Sequence, residues 1–230
     1  MKSLYLLLDA LTIVFPFILS FDKKVAFYKS WKYLGYGFLF IGIPFIIWDI
    51  IFTANGIWGF NPTYLTGFNI GNLPIEEVLF FVVVPFSCTF IYACVKAYFP
   101  RLKLKGFNLI FYASLAIYAL FLMATAWDAW YTLVASLLAL ATIPIIRKLK
   151  LKLEFLPLSF LIALVPFFII NGVLTGTGID SPIVWYNDLE NTGMRFATIP
   201  YEDVVYGWTL IAGNIVVFEW FSSRKARNKS

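Results

Sequence analysis

Leu73-Pro74-Ile75-Glu76-Glu77-Val78-Leu79-Phe80 decides how this chain is read. Two adjacent carboxylates stand at the threshold of a stretch that carries no further charge until Lys96. At 1.5 Å per residue such a stretch crosses a bilayer core of about 30 Å as a helix. Proline suits the first helical turn, where its missing N–H would have no partner, and a carboxylate just after it faces the positive end of the helix dipole. Taken alone, the octapeptide reads equally well as nothing more than a good helix start. It does not stand alone. Ile199-Pro200-Tyr201-Glu202-Asp203-Val204-Val205-Tyr206 repeats it 126 residues later, again at the head of an apolar run.

The sequence around the two motifs calls for lipid as solvent. Of 230 residues, 61% are hydrophobic, 20% aromatic and only 13% charged. Average soluble domains are about 25% charged, and a soluble fold of this length has nowhere to hide so much apolar side chain. Seven stretches qualify as spans: 3–21, 34–53, 74–98, 107–127, 129–147, 154–173 and 200–222. Only Ala126-Trp127-Asp128 separates the fourth from the fifth. Leu4 to Phe21 has only Lys2 before it and no small-residue cleavage site after it, so it reads as a retained helix and not as a secretory leader.

The basic residues orient the bundle. Lys23, Lys24, Lys29 and Lys32 lie between spans one and two; Lys96, Arg101, Lys103 and Lys105 between three and four. Arg147, Lys148, Lys150 and Lys152 lie between five and six, and Arg224, Lys225, Arg227 and Lys229 follow span seven. Of 18 basic residues, only Lys2 and Arg195 fall on the other side. The positive-inside rule then puts the N-terminus outside and the C-terminus in the cytoplasm of a multi-pass protein of the cell membrane. The net charge of +5 marks topology and predicts no nucleic-acid partner.

Pro44-Phe45-Ile46-Ile47-Trp48-Asp49 reads against Pro166-Phe167-Phe168-Ile169-Ile170-Asn171, 122 residues apart. Both run into Gly-Ile, at Gly56 and Gly178, then into a Trp and an Asn: Trp58 and Asn61, Trp185 and Asn187. Each series ends at its acidic motif. So many matches in one order predict a duplication: a first three-helix repeat over 1–106, a connecting helix over 107–127 and a second repeat over 128–230. Corresponding spans lie four apart, which makes the repeats parallel about an axis along the membrane normal. The expected fold class is therefore all-α, integral to the membrane, with seven spans.

Within each motif the two acids are about 100° apart on the helix, so one can cap while the other faces inward. Carboxylates at this depth are costly and mark a site. If the repeats pack together, Glu76, Glu77, Glu202 and Asp203 converge, and like charges in a dry setting leave a proton on carboxyl, as a general acid requires. Trp58, Phe60, Tyr64, Phe68, Trp185, Tyr186, Tyr201, Tyr206 and Trp208 lie at this level. They are either an interfacial belt or, in part, the walls of a pocket whose π-faces steady a cation. Phe80 stands three residues after the first acid pair, in the apolar run that follows it. Asp49 and Asn171 hold matching repeat positions and are expected to support the acids, whereas Asp9, Asp128 and Glu219 lie near span ends and are expected to be solvated. Histidine is absent, and Cys88 and Cys94 show no metal spacing, so no metal is expected and acid–base work falls to carboxylate, Tyr or Lys.

Pro74-Ile75-Glu76-Glu77 and Pro200-Tyr201-Glu202-Asp203, with Trp185-Tyr186-Asn187 and Gly193-Met194-Arg195 upstream of the second, resemble the membrane-embedded lycopene cyclases of the heterodimeric and fungal-fusion type, in the fused two-half form. The resemblance covers essentially the whole chain; Tyr201 stands where Ile is common. It implies an isomerase that closes the ionone rings of a carotenoid without net redox change and without a cofactor. No Gly-x-Gly-x-x-Gly dinucleotide fingerprint is present. The resemblance further implies a lipophilic polyene as substrate. On that basis Glu76 and Glu202 are expected to be the central acid–base pair, with Glu77 and Asp203 tuning them or taking the returning proton. Trp58, Phe80, Trp185, Tyr186, Arg195 and Tyr206 are expected to contact substrate, Arg195 being either a counter-ion to an ionised acid or an interfacial anchor.

Three other functions fit part of the pattern. A proton-coupled or lipophilic-substrate transporter also places carboxylates at helix starts between parallel repeats, but prefers polar or broken mid-membrane helices. A retinal-binding photoreceptor needs a Lys in the last span, and Pro200 to Phe221 has none. A scaffold leaves the paired acids unexplained.

Overall fold

The computed structural model describes residues 2–149 and 151–227. Lys150 and Lys229, two of the orienting charges, lie outside the described residues, as do the side chains of Lys225 and Arg227.

The apolar runs form helices: α1 (Leu4–Leu19), α2 (Trp31–Gly37), α3 (Ile43–Ala54), α4 (Ile75–Tyr98), α5 (Lys105–Thr125), α6 (Trp130–Lys148), α7 (Leu156–Leu174) and α8 (Glu202–Arg227). A π-turn at Phe38–Gly42 joins α2 to α3 as one rod. It sits just before Pro44, which lacks the N–H that would close the preceding turn and whose ring crowds it. Six of these rods are long and apolar enough to cross a membrane among the described residues. The seventh, α1, has 16 residues and spans only about 24 Å. The close junction between the fourth and fifth spans is a four-residue link, because α5 stops at Thr125 and α6 starts at Trp130. The chain is thus a mostly helical, multi-pass membrane protein.

α4 and α8 pack on each other at the centre, with α1 laid along α4 and α6 along α8. The rod α2–α3 packs against α8, and α7 against α4. Small residues allow the close approach. A Cβ on Gly37 would stand 2.5 Å from Asn214 Oδ1, and one on Gly213 would stand 3.0 Å from Ile41.

The two long loops fold alike over one end of the bundle. The first contains β1 (Trp58–Phe60) and a hairpin of β2 (Asn69–Ile70) with β3 (Leu73–Pro74). The second contains β4 (Val184–Tyr186) and a hairpin of β5 (Arg195–Phe196) with β6 (Ile199–Pro200). After each first strand an Asn side chain caps a short 3₁₀ turn: Asn61 accepts from Thr63 N–H at 3.0 Å, Asn187 from Leu189 N–H at 3.1 Å. β1 and β4 pair antiparallel, Trp58 opposite Tyr186, so the loops are tied to each other. Gly59 is required there, since a Cβ would fall 2.3 Å from the Trp185 ring.

Two expectations about charge fail. Asp128 is exposed, but Asp9 and Glu219, expected in solvent, are buried at 4% and 5% exposure. Asp9 lies on the face of α1 that packs on α4. Glu219 is paired with Lys96, which reaches across from α4 at the opposite end of the bundle from the paired loops.

Candidate active site

Under the β1–β4 ribbon lies a cavity of about 50 Å³ into which three carboxyls open: Asp49, Glu77 and Asp203. Each comes from a different helix, α3, α4 and α8. Its aromatic walls include Trp58, Phe80, Phe167 and Tyr206, and four tyrosines face it in all. Among the described residues, no Lys or Arg is paired with any of the three acids.

The helix starts explain how each acid is held. In α4, Tyr5 from α1 donates to Glu77 Oε2 at 2.5 Å. In α8, Tyr131 from α6 donates to Asp203 Oδ1 at 2.5 Å. The neighbouring acids turn the other way. Thr66 N–H donates to Glu76 Oε1 at 2.6 Å, and Thr192 N–H donates to Glu202 Oε1 at 2.8 Å. Glu202 Oε1 also accepts from Thr132 Oγ1 at 2.6 Å. Glu76 and Glu202 are fully buried and bind the loops down onto the helices, whereas Glu77 and Asp203 line the cavity. The expected inward pair and the expected flanking pair therefore exchange places. The reason is rotational: the tyrosines of α1 and α6 meet the second acid of each motif, and the returning loop meets the first.

The surroundings of the two inner acids differ. Asp203 accepts three hydrogen bonds, from Tyr131, from Asn171 Nδ2 at 2.7 Å and from Tyr186 Oη at 3.1 Å. Tyr186 lies on β4, outside the helices; burial and then the adjacent Asp203 carboxylate push its hydroxyl well above the ordinary tyrosine range, so it serves as a donor. On the other side Asp49 replaces Asn171. Asp49 Oδ1 accepts from Trp58 Nε1 and, at 3.2 Å, from Thr53 Oγ1. An amide donor thus faces Asp203 where a second carboxyl accompanies Glu77.

The aromatics divide. Trp58, Phe80, Tyr186 and Tyr206 line the cavity, with Tyr131 and Tyr186 stacked at 5.8 Å. Trp185 points away and is 42% exposed. Arg195 is no counter-ion to the cavity acids: its guanidinium pairs with Asp188 Oδ1 at 2.5 Å and donates to Thr198 O at 3.0 Å. Trp208 is buried deeper, against Phe111 and Phe160. Asp49 and Asn171, expected behind the acids, line the cavity themselves. Tyr5, Tyr131 and Phe167 went unnoticed in the sequence as site residues. The signal for the tyrosines was there, since each stands 72 residues before the acid it binds.

A family model described as lycopene cyclase matches the chain twice, over residues 2–95 and again over 128–221. Neither comparison with curated proteins nor comparison with solved structures gives a match. With well over half of its residues matched, and matched as two halves, the chain belongs to the lycopene cyclase family.

Proposed function

We propose that the chain is a lycopene cyclase that closes ψ end groups to β-ionone rings by carboxyl acid–base chemistry. The observation that carries this is the cavity itself: three carboxyls, supplied from both halves of the chain and without a Lys or Arg partner among the described residues, inside aromatic walls. Glu77 and Asp49 are the acid side. Two carboxyls in one cavity, with three donors shared between them, hold a proton between them. Asp203 is the base side, because three donors favour its anion.

The reaction then balances without a redox partner. Glu77 gives its proton to C2 of the terminal C1=C2 bond, leaving a tertiary cation at C1. The electron pair of C5=C6 forms the C1–C6 bond and moves the cation to C5. Asp203 removes the proton on C6, C5=C6 re-forms, and the product is an isomer of the substrate. The π-faces of Trp58 and Tyr206 and the Asp203 anion stabilise the cation, and the apolar walls limit the water that could trap it.

The same reading takes the chain as two parallel three-helix repeats, 1–106 and 128–230, joined by the helix at 107–127. Three pairs of corresponding contacts in the loops and acids, offset by 126 residues within each pair, support it; so does the double match of the family model. The N-terminus is outside, the C-terminus cytoplasmic, and the acids sit near the outer face of the cell membrane. A transporter would need a polar path onward through the bundle, and the spaces below the cavity are apolar.

Expression in a bacterium that accumulates lycopene tests the reading. Red cells should turn orange, with monocyclic or bicyclic carotene on chromatography. Unchanged lycopene, from protein present at normal level in the membrane, would overturn it.

A further inference from the structure

Two apolar grooves run down opposite flanks of the bundle. One, about 250 Å³, lies between α1, α4 and α7; the other, about 430 Å³, lies between α3, α6 and α8. Their linings correspond: Pro166 and Phe167 in the first stand where Pro44 and Phe45 stand in the second, 122 residues earlier. Both are deep enough to take a hydrocarbon chain. They differ where they meet the acids.

The first groove adjoins the acid cavity. Phe80, Phe167 and Asn171 line both. It is also open sideways, for Leu11, Phe15 and Ile169 on its rim are 49%, 67% and 64% exposed on a surface that faces lipid. From Phe80 to Ile91 it follows α4 for about 16 Å. The second groove has no lining residue in common with the cavity. At the positions that match Ile170 and Phe80 stand Trp48 and Tyr206, whose rings pack at 4.9 Å, with Phe45 at 5.1 Å from Tyr206. Trp48 faces the groove, Tyr206 the cavity, and their contact is the partition.

We infer that the α1/α4/α7 groove holds the polyene chain of the substrate, entering from the lipid with its end group at Asp49, Glu77 and Asp203, and that the α3/α6/α8 groove does not. This rests on the cyclase reading. The shared lining commits the occupant: a cavity of about 50 Å³ has room for a few waters, so an end group of nine carbons reaches the acids only by opening the junction, with the rest of its chain lying in the adjoining groove. Phe80 and Phe167, at the junction, turn aside to admit it.

The test compares the two grooves in one membrane preparation supplied with lycopene. Leu11→Trp fills the mouth of the first groove from a lipid-exposed position, and Leu138→Trp fills the second in the same way. Leu11→Trp should lower conversion at least tenfold and Leu138→Trp should stay within twofold of wild type, at equal protein level. A second readout needs no turnover. In a Cys88→Ala, Cys94→Ala background, Leu11→Cys should react several-fold more slowly with a membrane-permeant maleimide when lycopene is present, and Leu138→Cys should not. Equal effects at the two positions, or protection at Leu138→Cys alone, would overturn the groove assignment while leaving the cyclase reading in place. A wild-type protein that leaves lycopene unchanged would remove both.

Discussion

Replacing Glu77 and Glu76 in turn by Gln separates two adjacent residues that the sequence treats alike. Gln at 77 keeps a carbonyl to accept from Tyr5, now at 2.5 Å from Glu77 Oε2, so the packing of α1 on α4 survives. What it removes is the transferable proton. General acid catalysis contributes about 10²–10⁴-fold, so conversion should fall at least ~100-fold, equivalent to about 2.7 kcal/mol of barrier. Gln at 76 keeps the carbonyl that accepts from Thr66 N–H. It weakens that bond by an amount of order 1 kcal/mol, and Glu76 does not face the cavity. Conversion should remain within about fivefold of wild type on that account. The assay is carotene formed per unit of membrane-inserted protein in lycopene-accumulating cells, resolved by chromatography. An inactive Glu76→Gln beside an active Glu77→Gln would overturn this assignment of the two acids. So would two inactive variants at normal membrane level, since loop-anchoring and proton-donating roles would then not be separable.

Asp203→Asn should also cost at least ~100-fold. It removes the anion and the base together, and one charge about 5 Å from a cation is worth roughly 3 kcal/mol at an effective dielectric of 20; activity near wild type would exclude Asp203 as base. Asn171→Asp places a second carboxyl where an amide now donates at 2.7 Å; the pair must then share a proton, and conversion at neutral pH should drop at least about tenfold and recover partly as pH rises. Arg195→Ala breaks the half-exposed pair with Asp188, worth up to about 1 kcal/mol, and the hydrogen bond to Thr198 O, neither of them at the cavity, and should leave conversion within about threefold.

The helices were legible because lipid leaves no choice: length, apolarity and the placement of lysines and arginines specify where the chain crosses. Even the thin seam at Trp127-Asp128 emerges as a real break between α5 and α6. The convergence of the acidic motifs was legible too, through the repeated order of Pro, Gly-Ile, Trp, Asn and paired acid. Which acid of each pair turns inward was not. Glu76 and Glu77 are one residue and about 100° apart, and the choice is made by partners far off in sequence, Tyr5 on α1 and Thr66 in the returning loop. Tyr5 and Tyr131 look like belt residues until the 126-residue offset is carried back to α1 and α6. Asp9 and Glu219 looked solvated because a span end is read from position alone, whereas burial depends on the helix laid against it. The crossing of α2–α3 onto α8 and of α7 onto α4 is likewise a matter of packing that hydropathy does not encode.

The central claim is that the protein, acting alone, protonates its substrate and takes a proton back. Purified protein in lycopene-loaded vesicles in D₂O, with no flavin, nicotinamide or other cofactor added, tests it most directly. The account predicts cyclic carotene carrying one deuterium at C2 for every ring formed. Lycopene recovered unchanged, or rings formed without deuterium, would contradict it.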